Sequence, residues 1–343
     1  MKRILQVCFV MMILLSAACS REEKEANDRY VVPEDTMQVL PVKKDLPFKV
    51  KPLTEEDIKL DRELLYDKYT LDDVYPYKDT VRYVQWNIVR KCLAFIENMQ
   101  ADSTTTWMVF QNYKNRNGES PLVRTYVRDE YRRVADTLGV ERYQSVPLYL
   151  HPDTLTPVRY GRDGSISKLI ERTGNFYRVK PITLNDEWSV PVRYAKSLPD
   201  SVVFHHVIFV DRNNQNIATV EWKERGHWLI RSVNPATTGL HRPPYGKATP
   251  LGMYLIQEKK SRMVYLKDGS SERGGFAPYA SRFTNGAYIH GVPSAVPRTS
   301  IIEYSYSLGT TPRSHMCVRN ATSHAKFIYD WAPTGSSLVV VIE

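Results

Sequence analysis

The sequence is poor in cysteine, with four among 343 residues. Cys8 lies in an N-terminal segment that we expect to be removed, and Cys19 lies at its end, so the folded part retains only Cys92 and Cys317. These two could form one disulfide, since exported proteins usually pair their cysteines. Cys92, however, lies in an apolar pattern of helical period, which predicts a buried side chain and leaves Cys317 as an unpaired thiol.

The sequence also lacks a dense tract of lysine and arginine. The formal net charge is +9, and removal of Lys2 and Arg3 with the N-terminal segment leaves 9 − 2 = +7. This excess favours an anionic environment only weakly. The absence of a basic tract argues against a protein that binds nucleic acid.

An apolar run long enough to span a bilayer is absent as well. The run over residues 4–15 is too short for this and follows two basic residues, which predicts an export signal over residues 1–18. The small residues before Cys19 resemble a bacterial lipobox, in which the cysteine is lipidated and becomes the new N-terminus. We therefore expect a periplasmic protein whose lipid at Cys19 anchors it to a membrane, and Ser20 favours the outer membrane. Ordinary signal cleavage, which gives a soluble exported protein, is the alternative.

Two regions follow the signal. Residues 19–53 are charged and dotted with prolines, which predicts a tether rather than a core. Residues 54–140 read as a small α+β region without recognisable chemistry. Its predicted helices are one that starts at a capping box at Thr54, one over about 79–99, and a short one at 130–134.

The remainder predicts a mainly β fold. Residues 141–197 contain short strands separated by glycine turns and resemble a bacterial SH3-like domain, on the basis of residues 174–180 and Trp188. Residues 198–343 begin with an apolar strand over 202–210. The adjacent histidines in that strand face opposite ways, so they cannot bind one metal ion.

The chemistry is concentrated near the C-terminus. A thiol attacks an amide only as thiolate, so a nucleophilic cysteine needs a base or a lowered pKa. Cys317 in the stretch 314–320 provides the thiol, and His290 in the stretch 288–291 provides a base. By itself, a lone cysteine with a histidine elsewhere is only a candidate nucleophile.

A series of motifs follows in one order between residues 200 and 343. They are Thr238-Gly239, Thr249-Pro250-x-Gly252, Ile289-His290-Gly291 and Ser314-His315-Met316-Cys317-Val318-Arg319. This order resembles the catalytic domain of the L,D-transpeptidases of the YkuD type, over some two-fifths of the chain. The resemblance implies a twisted β-sandwich or barrel with a helix, and a cysteine nucleophile.

The resemblance also implies roles for individual residues. His290 would take the proton of Cys317, with its ring held in one tautomer by the carbonyl of Gly291 or a neighbour. The amides of Met316 and Cys317 would lie where an oxyanion develops. His315 would support that site, with a role as the base as its alternative.

Three further positions complete the implied site. Arg319 would orient the catalytic turn or bind a substrate carboxylate, and a structural ion pair is the alternative. Tyr288 could line the cleft or be an ordinary strand aromatic. Residues 321–331 predict a helix after Cys317, with Asn320 as its N-cap and an N-terminus that favours the thiolate.

The sequence departs from the family pattern at two places. The glycine before the family cysteine is Met316 here, and a positive φ would be strained for methionine. The stretch between His290 and Cys317 is long and contains three prolines, which is typical of a lid or rim on a substrate groove.

The resemblance implies acyl transfer on peptidoglycan, without metal or organic cofactor. Cys317 would be acylated by a tetrapeptide stem with release of D-alanine, and the acyl group would pass to an amine. Water as acceptor would make the protein an L,D-carboxypeptidase. Two further alternatives are a non-catalytic lipoprotein that binds the cell wall and a cysteine peptidase of another fold.

Overall fold

A computed structural model describes residues 51–129 and 131–343 of the chain. The predicted signal, the lipidation site at Cys19 and nearly all of the tether lie outside the described residues. The first strands are β1 (Lys59–Arg62), β2 (Val74–Tyr77), β3 (Thr80–Tyr83), β4 (Trp107–Phe110), β5 (Tyr126–Arg128), β6 (Val134–Asp136), β7 (Ser145–Leu150), β8 (Arg159–Arg162), β9 (Ile166–Thr173), β10 (Phe176–Pro181), β11 (Trp188–Pro191) and β12 (Ala195–Ser197). The later strands are β13 (His206–Asp211), β14 (Asn216–Glu224), β15 (His227–Pro235), β16 (Gly252–Leu255), β17 (Glu258–Leu266), β18 (Arg273–Thr284), β19 (Ala287–His290), β20 (Ser294–Ala295), β21 (Val318–Arg319) and β22 (Ser337–Ile342). The helices are α1 (Trp86–Ala101) and α2 (Thr322–Trp331).

The strands form three main sheets, so the prediction of a mainly β fold is confirmed. One has six strands in the order β1-β15-β14-β13-β22-β16, and one has seven in the order β12-β4-β9-β10-β11-β7-β8. The third runs β17-β18-β19-β21, with β20 beside β18. Two further hairpins, β2-β3 and β5-β6, complete the set.

The six-stranded sheet is buried on both faces. In β13, Val207 and Phe209 belong to one core with α1, whereas Ile208 and Val210 belong to a second core with α2. Alternate side chains of a strand point to opposite faces, so a strand covered on both sides must be apolar throughout. This explains the continuous apolar run of β13. Burial of each such side chain contributes about 1.5–3 kcal/mol.

The predicted region 54–140 packs into the later part of the chain. The helix α1 lies on the first core, where its Glu97 carboxylate accepts hydrogen bonds from Trp228 Nε1 at 2.7 Å and from the Gly226 amide. The strand β4 pairs with β9 and β12 in the seven-stranded sheet. The ranges 54–140, 141–197 and 198–343 thus share sheets and core, and their division into domains and the SH3-like resemblance stay predictions.

The helix predicted from Thr54 is wrong. The capping box between Thr54 and Asp57 is present, but it closes only a 3-10 turn over Glu55–Asp57. The chain then forms β1, in which Leu60 pairs with Trp228 of the parallel strand β15. Pairing with a distant sheet edge has overridden the local helical pattern.

Other boundaries also differ. The helix α1 begins at Trp86 rather than near residue 79, because β3 occupies the start of the predicted range. The helix predicted at 130–134 is wrong for the described residues, since the Asp129 carboxylate binds the amides of Tyr131 and Arg133 and closes a turn. The strand predicted over residues 202–210 begins only at His206, the first residue of β13.

Cys92 is a free, half-buried cysteine of α1 that packs against the first core. Burial raises the pKa of its thiol to about 11, so the group stays neutral. Cys317 is likewise free. The alternative of a Cys92–Cys317 disulfide is therefore wrong, and Cys317 is available as a thiol.

Candidate active site

The turn that carries Cys317 is held between two neighbouring segments. On one side, Thr237 exchanges backbone hydrogen bonds of 2.9 Å with Arg319, and the Ser314 amide donates to the Thr238 carbonyl at 3.1 Å. On the other side, β21 pairs in parallel with β19. The Ser314 hydroxyl also donates to the carbonyl of Cys317. These contacts fix the position from which the thiol is presented.

The strand register explains which side chains face the site. Ile289 and Val318 are register partners and both are fully buried in the second core. The next pair, His290 and Arg319, therefore points to the opposite face. That face borders the pocket described below.

Met316 has a φ of 96°, in the left-handed region that favours glycine. Two neighbours hold this conformation. The Thr249 hydroxyl donates to the Met316 carbonyl at 2.8 Å and accepts from the Gly239 amide at 2.8 Å. A Cβ on Gly239 would lie 2.7 Å from the Met316 Cα, so only glycine permits this approach. The Met316 side chain packs against the second core, which offsets part of the strain.

The Cys317 thiol lies 3.6 Å from the Gly286 carbonyl, to which it donates. Burial raises the pKa of this thiol, while the Tyr288 amide and the Arg319 guanidinium act in the opposite direction. The resting group is therefore a neutral thiol, and it needs a base to become a nucleophile.

His290 is placed to be that base. Its ring is 3% exposed, and its Nδ1 lies 2.7 Å from the Gly291 carbonyl. Because a carbonyl only accepts, Nδ1 carries the proton and Nε2 keeps its lone pair. Burial lowers the pKa of His290 to about 4, so the ring is neutral at pH 7.

Gly291 is packed as closely as Gly239. A Cβ at this position would lie 2.6 Å from Thr322 Oγ1 and 2.9 Å from Pro278 Cγ. The glycine therefore lets the carbonyl that orients the histidine sit against the start of α2. Ala321, rather than the predicted Asn320, is the N-cap of α2, and it makes no side-chain capping bond. The Asn320 amide instead donates to the His290 carbonyl at 3.0 Å.

A pocket of about 390 Å³ brings the candidate residues together. His290, Cys317, His315 and Arg319 line it on one side. The hairpin of β17 and β18 lines the other side, and its contributing residues are Met263, Tyr265, Leu266, Lys267, Asp268, Gly274 and Ala277. The pocket thus holds a thiol, a neutral histidine and a guanidinium beside an apolar wall.

Arg319 is the cation nearest this thiol in the pocket. Its Nε is buried and has no hydrogen-bond partner within the described part of the chain. Burial lowers the pKa of its guanidinium, an effect that the nearby Cys317 opposes. Because Arg319 lines the pocket, its guanidinium can donate hydrogen bonds to a carboxylate of a bound molecule.

His315 occupies the rim rather than the interior. Its side chain is 44% exposed, and its Nε2 lies 3.4 Å from Asp268 Oδ2 at the tip of the hairpin between β17 and β18. This contact joins the Cys317 turn to the facing hairpin. Sequence reasoning missed Asp268, although the Asp268-Gly269 pair is a hairpin signal that could have located it.

Tyr288 does not line this pocket. It is 4% exposed, and its hydroxyl lies 3.0 Å from the hydroxyl of Tyr113 and 3.2 Å from Lys260 Nζ. Burial raises the pKa of this phenol. Of the two expected roles of Tyr288, the position of its side chain fits the ordinary buried strand aromatic rather than a residue that lines this pocket.

Two absences apply to residues 51–129 and 131–343. No three histidine, cysteine, aspartate or glutamate side chains in these ranges are grouped so as to hold a metal ion. None of the helices there is both long and apolar enough to cross a membrane.

Comparison with known families assigns the C-terminal part of the chain. Residues 205–342 match the model of the YkuD family, the L,D-transpeptidase catalytic domain. The resemblance predicted from the motif order is thereby confirmed for this range. No protein with a curated description matches the chain.

Solved structures give a weaker likeness. A fused Zn-dependent amidase/peptidase/peptidoglycan-binding protein from Clostridium acetobutylicum ATCC 824 is 19% identical over 40% of this chain, with a TM-score of 0.29; the match spans about half, 52%, of its length. An L,D-transpeptidase from Mycobacterium smegmatis is 17% identical over 46% of this chain and 73% of its own, with a TM-score of 0.32. An L,D-transpeptidase from Mycobacterium tuberculosis H37Rv is 23% identical over 50% of this chain and 77% of its own, with a TM-score of 0.31. The family match therefore carries the assignment.

Proposed function

We propose that the protein is a peptidoglycan L,D-transpeptidase whose nucleophile is Cys317. The observation that carries the proposal is the pairing of a free thiol with His290 in one pocket, where the Gly291 carbonyl leaves the Nε2 lone pair of the ring free. The match of residues 205–342 to the transpeptidase family supplies the reaction class. A tetrapeptide stem is the donor substrate.

The first half of the reaction makes a thioester. The thiol proton moves to Nε2 of His290 while sulfur attacks the carbonyl carbon that joins the L-centre of the diamino acid to D-alanine. The resulting oxyanion faces the amides of Met316 and Cys317, for which no acceptor is found in the described part of the chain. The carbon–nitrogen bond then breaks, the proton passes from His290 to the leaving amine, and D-alanine departs.

The second half transfers the acyl group. An amine of a neighbouring stem attacks the thioester, the carbon–sulfur bond breaks, and the proton released by the amine returns to Cys317. Arg319 provides the charge that binds a carboxylate of the stem, since its Nε has no partner among the described residues. With water as the acceptor, the same site would act as an L,D-carboxypeptidase.

One observation favours a second candidate, a non-catalytic wall-binding protein: Met316 occupies a backbone conformation that suits glycine. The two functions are separated by incubating the protein with tetrapeptide muropeptides. An enzyme releases D-alanine and forms a covalent adduct at Cys317 that mass spectrometry detects. Cys317→Ala must abolish both signals, and Cys92→Ala, which removes the other described thiol, must retain them. If the wild type and Cys317→Ala gave the same D-alanine release and the same adduct signal, the enzyme function would be refuted and the wall-binding function would remain.

The third alternative, a cysteine peptidase of another fold, predicts turnover of ordinary L-L peptides. We expect none, because the family of residues 205–342 acts at an L,D junction. Turnover of an L-L peptide that depends on Cys317 would contradict the proposed donor. The acceptor is identified separately, by comparing the amounts of cross-linked dimer and hydrolysed stem.

We also propose that the protein is exported and held at a membrane through a lipid on Cys19. The sequence of residues 1–19 supports this proposal. Labelled palmitate should enter the wild type and be absent from Cys19→Ser. A variant that remains in the membrane fraction without label would contradict anchoring through Cys19.

A further inference from the structure

A second cavity, of about 380 Å³, lies between the six-stranded and seven-stranded sheets. Arg159 and Arg162, the end residues of β8, line it from the seven-stranded sheet, and Arg212, which follows β13, lines it from the six-stranded sheet. Its remaining walls are largely apolar, formed by Phe110, Leu138, Val140, Pro181, Leu184, Pro250 and Leu251. We propose that this cavity is a binding site, separate from the Cys317 pocket, for a ligand that presents a carboxylate or a phosphate to the arginines that line it.

The charges of the cavity are unbalanced. No aspartate or glutamate lines it. The guanidinium groups of Arg159 and Arg162 form no ion pair or hydrogen bond with any residue in 51–129 or 131–343, and that of Arg212 lies 3.5 Å from Glu343. The charges of Arg159 and Arg162 are therefore unpaired among the described residues, and an anion bound in the cavity would offset their repulsion.

The charged side chains of Lys247 and Glu141, beside the cavity, pair with each other. The Lys247 ammonium is close enough to Arg162 that this arginine helps to lower the lysine pKa, although burial is the larger cause. Glu141, the acid nearest to Lys247, is already paired with that lysine at 2.8 Å and with Arg133 at 3.5 Å. Glu141 is therefore not left for Arg162, and the buried Asp136 carboxylate accepts instead from the amides of Leu138, Val140 and Tyr160.

The residue types fit an oxyanion on a partly apolar body. An arginine fork binds carboxylate or phosphate through two parallel hydrogen bonds, and apolar walls bury the rest of a small ligand. The Arg159 guanidinium also lies 6.0 Å from the centre of the Trp188 ring, within the range of a cation–π contact. A free peptide carboxylate and inorganic phosphate share this chemistry, and the experiment must distinguish them.

The cavity also touches the catalytic turn. Thr249 lines the cavity, and its hydroxyl donates to the carbonyl of Met316. The Cys317 pocket and this cavity are nevertheless lined by different residues. Occupancy of the cavity can therefore be measured independently of acylation at Cys317.

The test is protection of individual arginines from phenylglyoxal in the full chain, mapped by peptide mass spectrometry. The probes are inorganic phosphate, the tripeptide L-alanyl-γ-D-glutamyl-diaminopimelate, and the same tripeptide with its carboxylates amidated. Protection of Arg159 and Arg162 by the tripeptide with free carboxylates, but not by the amidated tripeptide, identifies a carboxylate ligand. Protection by phosphate alone identifies a phosphate ligand. Either result supports the site.

Variants show whether the arginines bind the probe. In calorimetric titrations Arg162→Gln should weaken binding at least about tenfold, since each charge-assisted hydrogen bond contributes strongly. Arg162→Lys keeps the positive charge but loses the two parallel donors of the guanidinium, so its affinity for the probe should lie between those of the wild type and Arg162→Gln. Arg172→Gln, on the exposed end of β9 of the same sheet, is the matched control and should bind as the wild type does.

Two results would overturn the site. One is that no probe protects Arg159 or Arg162 in the wild type. The other is that Arg162→Gln binds as tightly as Arg172→Gln, which would place the probe elsewhere, for example at Arg319. Neither result bears on the proposed reaction, because formation of the Cys317 adduct is measured separately.

Discussion

The pH dependence of acylation tests the role assigned to His290. Burial holds the pKa of this histidine at about 4, whereas an exposed histidine titrates near about 6.5. At pH 7 roughly one ring in a thousand is then protonated, compared with roughly one in four for an exposed ring. A base must be neutral to accept the thiol proton, so the second-order rate of acylation should stay level from pH 7 down to about 5 and fall to half near pH 4.

The assay is the loss of free thiol at Cys317 during reaction with a carbapenem at limiting concentration, so that the rate reports the free protein. Cys92, half-buried and with a raised pKa, should not react on this time scale. His290→Ala should abolish acylation, and His315→Ala should only slow it, because His315 lies at the rim beside Asp268.

Two outcomes would refute the reasoning. A half-point near pH 6.5 in the wild type would mean that the reacting base is exposed. If His290→Ala were still acylated and His315→Ala no longer showed the decrease in rate near pH 6.5, His315 and not His290 would be the base. The three proteins should be compared only in the pH range where each remains folded by circular dichroism.

Three further predictions concern the fold around the site. Gly239→Ala should slow acylation by about 100-fold, because a Cβ would lie 2.7 Å from the Met316 Cα and must displace the catalytic turn; kinetics with Cys317 as reporter check this, and an unchanged rate would show that the turn adapts. Met316→Gly should be acylated at a rate within about tenfold of the wild type, since glycine adopts the observed φ without strain, whereas Met316→Val should be acylated more slowly. Equal acylation rates in the wild type and both variants would show that the positive φ at residue 316 does not limit the reaction. As the pH is lowered from about 6.5, the free energy of unfolding should decrease. Burial lowers the pKa of His324 to about 3 and that of His290 to about 4. The unfolded chain therefore binds more protons than the folded chain between those values and pH 6.5, and stability is lost as the pH falls through this range. At pH 5 the loss should be about 2 kcal/mol for each histidine, measurable by urea titration, and His324→Gln should remove about half of it; a flat profile would contradict the burial of both rings.

The candidate site residues could be located from the sequence because their chemistry lies in two short stretches of the chain. His290 with Gly291, and Met316 with Cys317, are neighbours in sequence, and their spacing and flanks fit the family pattern. The positive φ at Met316 also followed from a local argument, since the corresponding residue of the family is glycine. Local motifs specify local geometry, and the structure places both stretches on adjacent strands.

The parts that could not be predicted depend on distant partners. The strand β1 forms because the edge of β15 is free to pair, and nothing near Leu60 encodes this. The contact of His315 with Asp268 and the convergence of Arg159 with Arg212 likewise require knowledge of which sheets pack together. The surroundings of the Tyr288 side chain could not be predicted for the same reason, because Tyr113, its hydroxyl partner, comes from a region to which the sequence assigned no chemistry.

The methionine before the nucleophile is explained by the contacts of the turn. A non-glycine residue at positive φ costs about 1–3 kcal/mol, and partial burial of the Met316 side chain against the second core offsets part of this cost. The hydroxyl of Thr249 and the close approach of Gly239 then hold the backbone in place. Gly239 thus permits the close approach of the two segments, while Met316 itself adopts the positive φ. The methionine favours a non-catalytic protein, but the thiol and the oriented histidine are both retained in one pocket, so the transpeptidase remains the function that the site supports best.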